Sequence, residues 1–201
     1  KDGTVLISVY INPLDDTFFR VLRGFLKPSK IVRMGQTHSL FTKIEIDAPP
    51  DIVRSVLLDF EHHKNWHATY VFKCLDPKLK PIDLKPGDKL DMEIRGYTFM
   101  GYPYPFRFQP TIRENIPELL EWNGGPRMIF NGTHSFIFSY SRENPGGTTF
   151  IQSEEFTGLL AFLVGQNWEF GRQSLGHFQA LSQDLKTAAE QQANRLGAGV
   201  S

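Results

Sequence analysis

The spacing of apolar residues changes period twice along this chain. Asn12-Pro13 is a helix start, with Asn as cap and Pro at the first helical position. Phe18, Phe19, Val21, Leu22, Phe25 and Leu26 then recur at helical spacing until Pro28, which predicts an amphipathic helix over residues 13–27. From residue 40 the period drops to two. Leu40, Thr42, Ile44 and Ile46 alternate with Phe41, Lys43, Glu45 and Asp47, a half-buried strand closed by Pro49-Pro50. Asp51 to Leu58 reads as a short helix with Ile52, Val53, Val56 and Leu57 inward, and Asp59 to Trp66 as a second short helix or turn. Tyr70 to Leu75 is a short strand, and Leu90, Met92 and Ile94 mark another after the turn-rich stretch 77–87. Gly96 to Pro105 is a loop rich in Gly, Pro and Tyr. Phe106 to Arg113 and Leu119 to Trp122 read as a strand pair around Asn115-Ile116-Pro117. Met128 to Arg142 and Thr148 to Leu160 are long strands joined by the turn Asn144-Pro145-Gly146-Gly147.

From Leu163 to about Ala193 there is no proline and the period returns to that of a helix. Asn167, Phe170, Ser174, Phe178, Leu181 and Leu185 fall on one stripe of it. Consecutive strands with short turns imply an antiparallel meander. One long helix cannot cover both faces of a flat sheet, so a curved sheet of about seven strands wrapped around that helix satisfies both elements. The expected class is α+β. The expected organisation is an extension over 1–38 carrying the N-terminal helix, a domain over 39–193 and a flexible tail over 194–201.

Composition narrows the functions open to such a domain. The chain has 201 residues, suited to one domain, with 22 Lys and Arg against 22 Asp and Glu. Zero net charge gives no pull toward nucleic acid or an anionic membrane. No apolar run is long enough for a membrane span, so no stable membrane insertion is expected. The single cysteine, Cys74, excludes an internal disulfide and a cysteine-based zinc site and fits a reducing, cytoplasmic compartment. Asn131-Gly132-Thr133 is a glycosylation sequon of the kind that also arises by chance in cytosolic chains. With few basic residues beside its apolar face, the N-terminal helix is expected to pack on the domain; a lid, a homodimer contact or a membrane-surface helix are the alternatives. Aromatic residues make up 13 %, including 17 phenylalanines, which fits either a Phe-rich core or an aromatic-lined pocket for a hydrophobic small molecule.

Four segments resemble the START-like superfamily, also called SRPBCC, Bet v 1-like or polyketide-cyclase-like. The first runs from Ile44-Glu45-Ile46-Asp47-Ala48-Pro49-Pro50-Asp51-Ile52-Val53 to Asp59-Phe60 and Trp66. Lys85-Pro86-Gly87-Asp88 leading into a strand is the second. Leu120-Glu121-Trp122 with Gly124, then Gly132-Thr133-His134-Ser135-Phe136, form the third. The fourth runs from Gly147-Thr148-Thr149-Phe150 to Glu154-Glu155-Phe156-Thr157-Gly158. The set covers residues 40 to about 190 and leaves the N-terminal extension outside the pattern. The resemblance implies a helix-grip fold with a large internal cavity. It does not fix a function, because the superfamily hosts lipid carriers, hormone receptors and cyclases alike.

The chemistry-bearing candidates sit on the last hairpin. Alternation puts Gly132, His134, Phe136 and Phe138 on one face of one strand and Gln152, Glu154, Phe156 and Gly158 on one face of the next, so His134 and Glu154 are expected to meet among phenylalanines. A buried carboxylate must be paired, protonated or functional. Glu154 bonded to His134, Arg107 or a tyrosine would lock the sheet. Alternatively, His134 and Glu154 are an acid–base couple of the kind that cofactor-free cyclisation, dehydration or isomerisation of a polyketide- or terpenoid-type molecule needs. A non-catalytic carrier or sensor of a lipid or other hydrophobic ligand is the rival function, and a structural protein with a collapsed cavity is a third. The expected lining is Met92, Tyr97, Tyr102, Tyr104, Phe106, Phe108, Trp122, Phe136, Phe156, Asn167, Phe170, Ser174 and Phe178, with Arg107 facing out. His63 and His67 have the i, i+4 spacing of zinc ligands, but no third ligand follows at a convincing distance, so no metal site is expected. No P-loop, dinucleotide fingerprint or Gly-x-Ser-x-Gly motif occurs, and no cofactor is expected.

Overall fold

The computed structural model describes residues 38–99, 101–124, 131–158, 161–165 and 168–198. The expected N-terminal helix over 13–27, and the site candidate Asn167, lie outside these residues. Strand β1 (His38–Ile46) runs into helix α1 (Pro50–Leu58), a one-turn 3-10 helix at His63–Asn65 and β2 (Tyr70–Cys74). Then come β3 (Leu90–Ile94), a small hairpin of β4 (Thr98–Phe99) and β5 (Tyr102–Pro103), β6 (Phe106–Phe108), β7 (Thr111–Ile116), β8 (Leu119–Gly124), β9 (Asn131–Tyr140) and β10 (Thr148–Thr157). A 3-10 turn at Ala161–Val164 leads into the C-terminal helix α2 (Glu169–Ala198).

The strands pair antiparallel in the order β1-β10-β9-β8-β7, with β2-β3-β6 continuing beyond. The expected continuous strand from Phe106 to Arg113 is broken in two at Gln109-Pro110. Proline has no N–H to give the ladder. Across the break the Leu90 N–H donates to the Pro110 carbonyl at 3.0 Å and the Ile112 N–H to that of Asp88 at 2.8 Å, so β3 stays stitched to β7. With β6 and β7 as halves of one broken strand, the main sheet has the seven strands expected, curved around α2. The long strands are shorter than their apolar runs suggested: β10 ends at Thr157, not Leu160.

The turn at residues 144–147 sets the register on which the site depends. Gly146 has φ +89°, a conformation that favours glycine, and the Ser141 N–H donates to the Gly147 carbonyl at 2.9 Å. This places Thr148 opposite Tyr140 and, along the ladder, Glu154 opposite His134. The concave face reads in rungs across β8, β9, β10 and β1: Trp122, His134, Glu154 and Leu40 in one, then Leu120, Phe136, Gln152 and Thr42 in the next.

Helix α2 lays Ser174, Phe178, Leu181, Ser182, Leu185 and Ala189 against this face, and α1 adds Val53, Val56, Leu57 and Leu58 to the core. It starts at Glu169 rather than Leu163, and it continues past Ala193, through the first residues of the expected tail. The late start has a packing cause. Gly171 is buried so close to the Val164–Gly165 backbone that a Cβ there would run into the Gly165 carbonyl. The 3-10 turn can therefore cross the helix only at a glycine. Gly171→Ala, which favours a helix in isolation, is expected to lower stability here by about 1–3 kcal/mol through overpacking. A urea midpoint equal to or above the wild type would contradict that packing. No helix among the described residues is long and apolar enough to cross a membrane.

Candidate functional site

His134 on β9 and Glu154 on β10 occupy facing positions, and their side chains bond directly, Nδ1 to Oε2, at 2.6 Å. Both are buried, at 2 % and 0 % exposure. Trp122 stacks on the imidazole with ring centres 4.9 Å apart, while Phe136 and Phe178 approach it at 4.4 and 5.1 Å. This box keeps both groups out of bulk solvent. Burial therefore pushes the Glu154 carboxyl well above the usual carboxylate range and the His134 imidazolium down to about 3. The uncharged couple is favoured.

The couple has a definite polarity. Two of its atoms, His134 Nε2 and Glu154 Oε1, are buried without a hydrogen-bond partner. If the Nδ1···Oε2 proton sits on oxygen, the neutral imidazole must carry its own proton on Nε2. If it sits on Nδ1 of a fully protonated ring, Nε2 again carries one; burial, which raises the Glu154 carboxyl, disfavours a neutral Nδ1–H ring facing an ionised carboxylate. In both arrangements Nε2–H is a donor and Oε1 an acceptor, so the couple carries one buried donor and one buried acceptor. Buried groups of this kind are nearly always satisfied in native proteins, and each left unmet costs about 1–3 kcal/mol. A ligand oxygen or an ordered water meets that need.

Other polar groups flank the couple. Gln152, on the next rung, accepts from the Ser182 hydroxyl at 3.3 Å, leaving its own Nε2 buried without a partner. The Tyr70 hydroxyl on β2 is also buried and unpartnered, and Glu154 lies within electrostatic reach of it. Tyr97 and Ser174, expected to reach a ligand, bond to each other at 2.5 Å, and Ser174 donates on to the Phe170 carbonyl at 2.8 Å.

Of the expected lining, Met92, Phe106, Phe108, Trp122, Phe136, Phe156 and Phe178 are buried in the core. Phe170 stacks on Tyr97 at 5.3 Å and Tyr104 packs edge-on against Phe106 at 5.1 Å. Tyr102 does not join them. It is 76 % exposed, because β4 and β5 are two-residue strands forming a hairpin apart from the main sheet. Arg107 points outward and pairs with Glu93 at 3.0 Å. His63 donates from Nε2 to the Leu57 carbonyl at 2.6 Å and His67 bonds Asp184, so neither faces a common metal position; among the described residues no group of three or more His, Cys, Asp or Glu is placed to hold a metal. The sequence reading passed over Tyr70, although alternation along Tyr70, Phe72 and Cys74 places it inward.

No family model and no curated protein matches the sequence. Solved structures match the fold. A norcoclaurine synthase from Thalictrum flavum, a point mutant in complex with a transition state analogue, aligns with a TM-score of 0.55 at 12 % identity over 78 % of this chain and 96 % of that one. The allergen Ara h 8.0201 aligns with a TM-score of 0.50 at 10 % identity over 80 % and 99 %. The di-domain ARO/CYC BexL, from a biosynthetic pathway, aligns with a TM-score of 0.52 at 15 % identity over 78 % of this chain and 50 % of that one. At these identities the likeness concerns backbone architecture, and it agrees with the strand order and the C-terminal helix. The chain shares the helix-grip fold of these structures.

Proposed function

We propose that the protein binds a largely apolar small molecule of polyketide or terpenoid type between the sheet and α2, and that His134 and Glu154 act on it as a cofactor-free acid–base couple. The observation that carries this reading is the buried pair whose Nε2 and Oε1 have no protein partner. His134 Nε2–H donates to a carbonyl-type oxygen of the ligand. As charge develops on that oxygen the proton crosses to it, and the Oε2 proton of Glu154 moves to Nδ1, so the couple delivers one proton without burying a lone imidazolium. Cyclisation, dehydration and isomerisation all need such a step beside a carbonyl, and the aromatic walls hold the substrate in a reactive shape. The same fold in a synthase bound to a transition-state analogue and in an ARO/CYC protein supports this direction.

Two probes differing only in the oxygen test the reading. Methyl naphthyl ketone is expected to bind the wild type about tenfold more tightly than ethylnaphthalene, the worth of one buried hydrogen bond. His134→Phe should erase that difference while both compounds still bind. Equal binding of the two probes to the wild type, or a ketone preference that survives in His134→Phe, would refute the site. Native mass spectrometry of protein from its own host then identifies the resident molecule, whose turnover Glu154→Gln should abolish. Turnover unchanged in that variant would remove Glu154 from the chemistry, and no turnover by the wild type would leave a carrier.

A further inference from the structure

Two more polar groups are buried without partners beside this interior, and the His134–Glu154 chemistry does not use them. His67 is 4 % exposed and Tyr70 is 3 % exposed, and their rings stack with centres 5.6 Å apart. His67 Nδ1 bonds the Asp184 carboxylate on α2 at 2.7 Å, whereas its Nε2 has no partner. The Tyr70 hydroxyl has none either. A carboxylate accepts and does not donate, so the proton in that bond belongs to Nδ1. Burial lowers the pKa of His67, so the ring holds no second proton. Nε2 is then a lone pair. His67 thus has the opposite polarity from His134: one presents a buried acceptor and the other a buried donor.

Tyr70 stands between the two. It stacks on His67, and it lies within electrostatic reach of Glu154 and Tyr97. Burial holds its phenol well above the ordinary range, so it stays protonated and acts as a donor. Ring contacts join the two ends in order: His67 to Tyr70 at 5.6 Å, Tyr70 to Phe72 at 5.8 Å, Phe72 to Trp122 at 5.8 Å and Trp122 to His134 at 4.9 Å. The unmet groups therefore run along the interior, with a donor–acceptor couple at one end, a phenol in the middle and an imidazole acceptor beyond it.

We propose that His67, held in place by Asp184, forms with Tyr70 a second polar subsite that accepts a hydrogen bond from a ligand hydroxyl remote from the oxygen bound by His134. The inference rests on the ligand-binding reading of the His134–Glu154 couple and narrows its ligand. The ligand is an uncharged, mainly apolar molecule with a carbonyl at one end and a hydroxyl at the other. A cationic or anionic molecule would have to shed its hydration among groups that burial keeps neutral, at a cost one hydrogen bond does not offset. His67 is the specificity-determining residue, and Asp184 is a positioning residue that acts through it.

A third probe tests this on the full chain: methyl naphthyl ketone carrying a phenolic hydroxyl on the far ring. The wild type is expected to bind it about tenfold more tightly than the plain ketone. His67→Phe keeps a flat ring but loses the acceptor, so it should erase that gain and leave the plain ketone's affinity unchanged. Asp184→Asn, at a side chain 44 % exposed, tests the positioning even if His67→Phe does not fold. An asparagine amide either donates to Nδ1, which moves the proton to Nε2, or accepts from Nδ1–H through its oxygen, which leaves the tautomer as it is. Ring-nitrogen chemical shifts report which, and the preference for the hydroxyl should follow: lost with the proton on Nε2, kept with it on Nδ1. The subsite is refuted if the wild type binds both ketones equally, as it would if ordered water satisfied His67, or if in Asp184→Asn the preference does not follow the tautomer. Failure of the plain ketone to bind better than ethylnaphthalene is a different result, and it removes the binding reading itself.

Discussion

Acidification from pH 6.5 to 4 is expected to remove several kcal/mol of folding free energy, and a shallower loss is expected as pH rises above 6.5. The acid arm comes from histidines that the fold keeps neutral. Burial lowers His63 and His177 to about 4 from 6.5, and lowers His67 as well. Each takes up a proton on unfolding, so the unfolded chain binds more protons below 6.5 and stability falls as pH falls. His63 alone, shifted from 6.5 to about 4, contributes about 3 kcal/mol that is lost across that interval. The His134–Glu154 couple behaves differently. Between 4.5 and 6.5 the unfolded chain has a protonated histidine and an ionised glutamate, while the folded couple keeps one proton wherever it sits along the Nδ1···Oε2 bond. The counts match, so the couple adds no slope there. Above 6.5 the unfolded histidine releases its proton and the folded couple does not, so stability declines as pH rises toward the raised pKa of Glu154. Urea unfolding at constant ionic strength across this range gives the profile. A flat arm above 6.5 would mean that the folded couple has already lost its proton. In Glu154→Gln the arm should flatten for that reason, which serves as the internal control.

The sequence made the container legible because its signals are local. Alternation along residues 130–158 and the Asn144–Gly147 turn fix both strand faces and their register, and those two facts suffice to bring His134 to Glu154. The break at Pro110 was harder to read, since the apolar alternation of Phe106 and Phe108 continues to Ile112 and only the missing N–H interrupts it. The start of α2 was misplaced for a less local reason. The run from Leu163 lacks proline, but the crossing at Gly171 exists only once the 3-10 turn has folded over the helix. Tyr102, expected in the loop of residues 96–105, stands exposed on the β4–β5 hairpin, whose two-residue strands are too short to carry a period. The His67–Asp184 bond joins residues 117 positions apart, from a turn before β2 to the middle of α2. Neither segment marks the other, and i, i+4 spacing drew attention to a metal site instead. What pattern reading lost, then, are contacts between the helix and the far wall of the sheet, and the second subsite is built there.

Replacing Glu154 by alanine is expected to cost about 3–5 kcal/mol and replacing it by glutamine only about 1 kcal/mol, and the gap between them diagnoses the charge state of the couple. Alanine leaves His134 Nδ1 unpaired among Trp122, Phe136 and Phe178 and opens space in a close-packed rung. Glutamine refills the space. Its amide N–H can donate to Nδ1 as a protonated Oε2 does, and its carbonyl takes the place of Oε1. The imidazole keeps its proton on Nε2, so the ketone preference should survive in this variant while proton delivery is lost, because an amide has no proton to pass on. An imidazolium–carboxylate pair would respond otherwise. Glutamine could not balance a buried imidazolium; that ring would have to give up its charge, and the glutamine variant would fall nearly as far as the alanine one. Paired urea midpoints therefore separate a neutral couple from an ion pair without knowledge of the substrate. The neutral outcome is the one that acid–base work on an uncharged ligand requires, since it presents a donor and an acceptor without first burying a charge beside an apolar molecule.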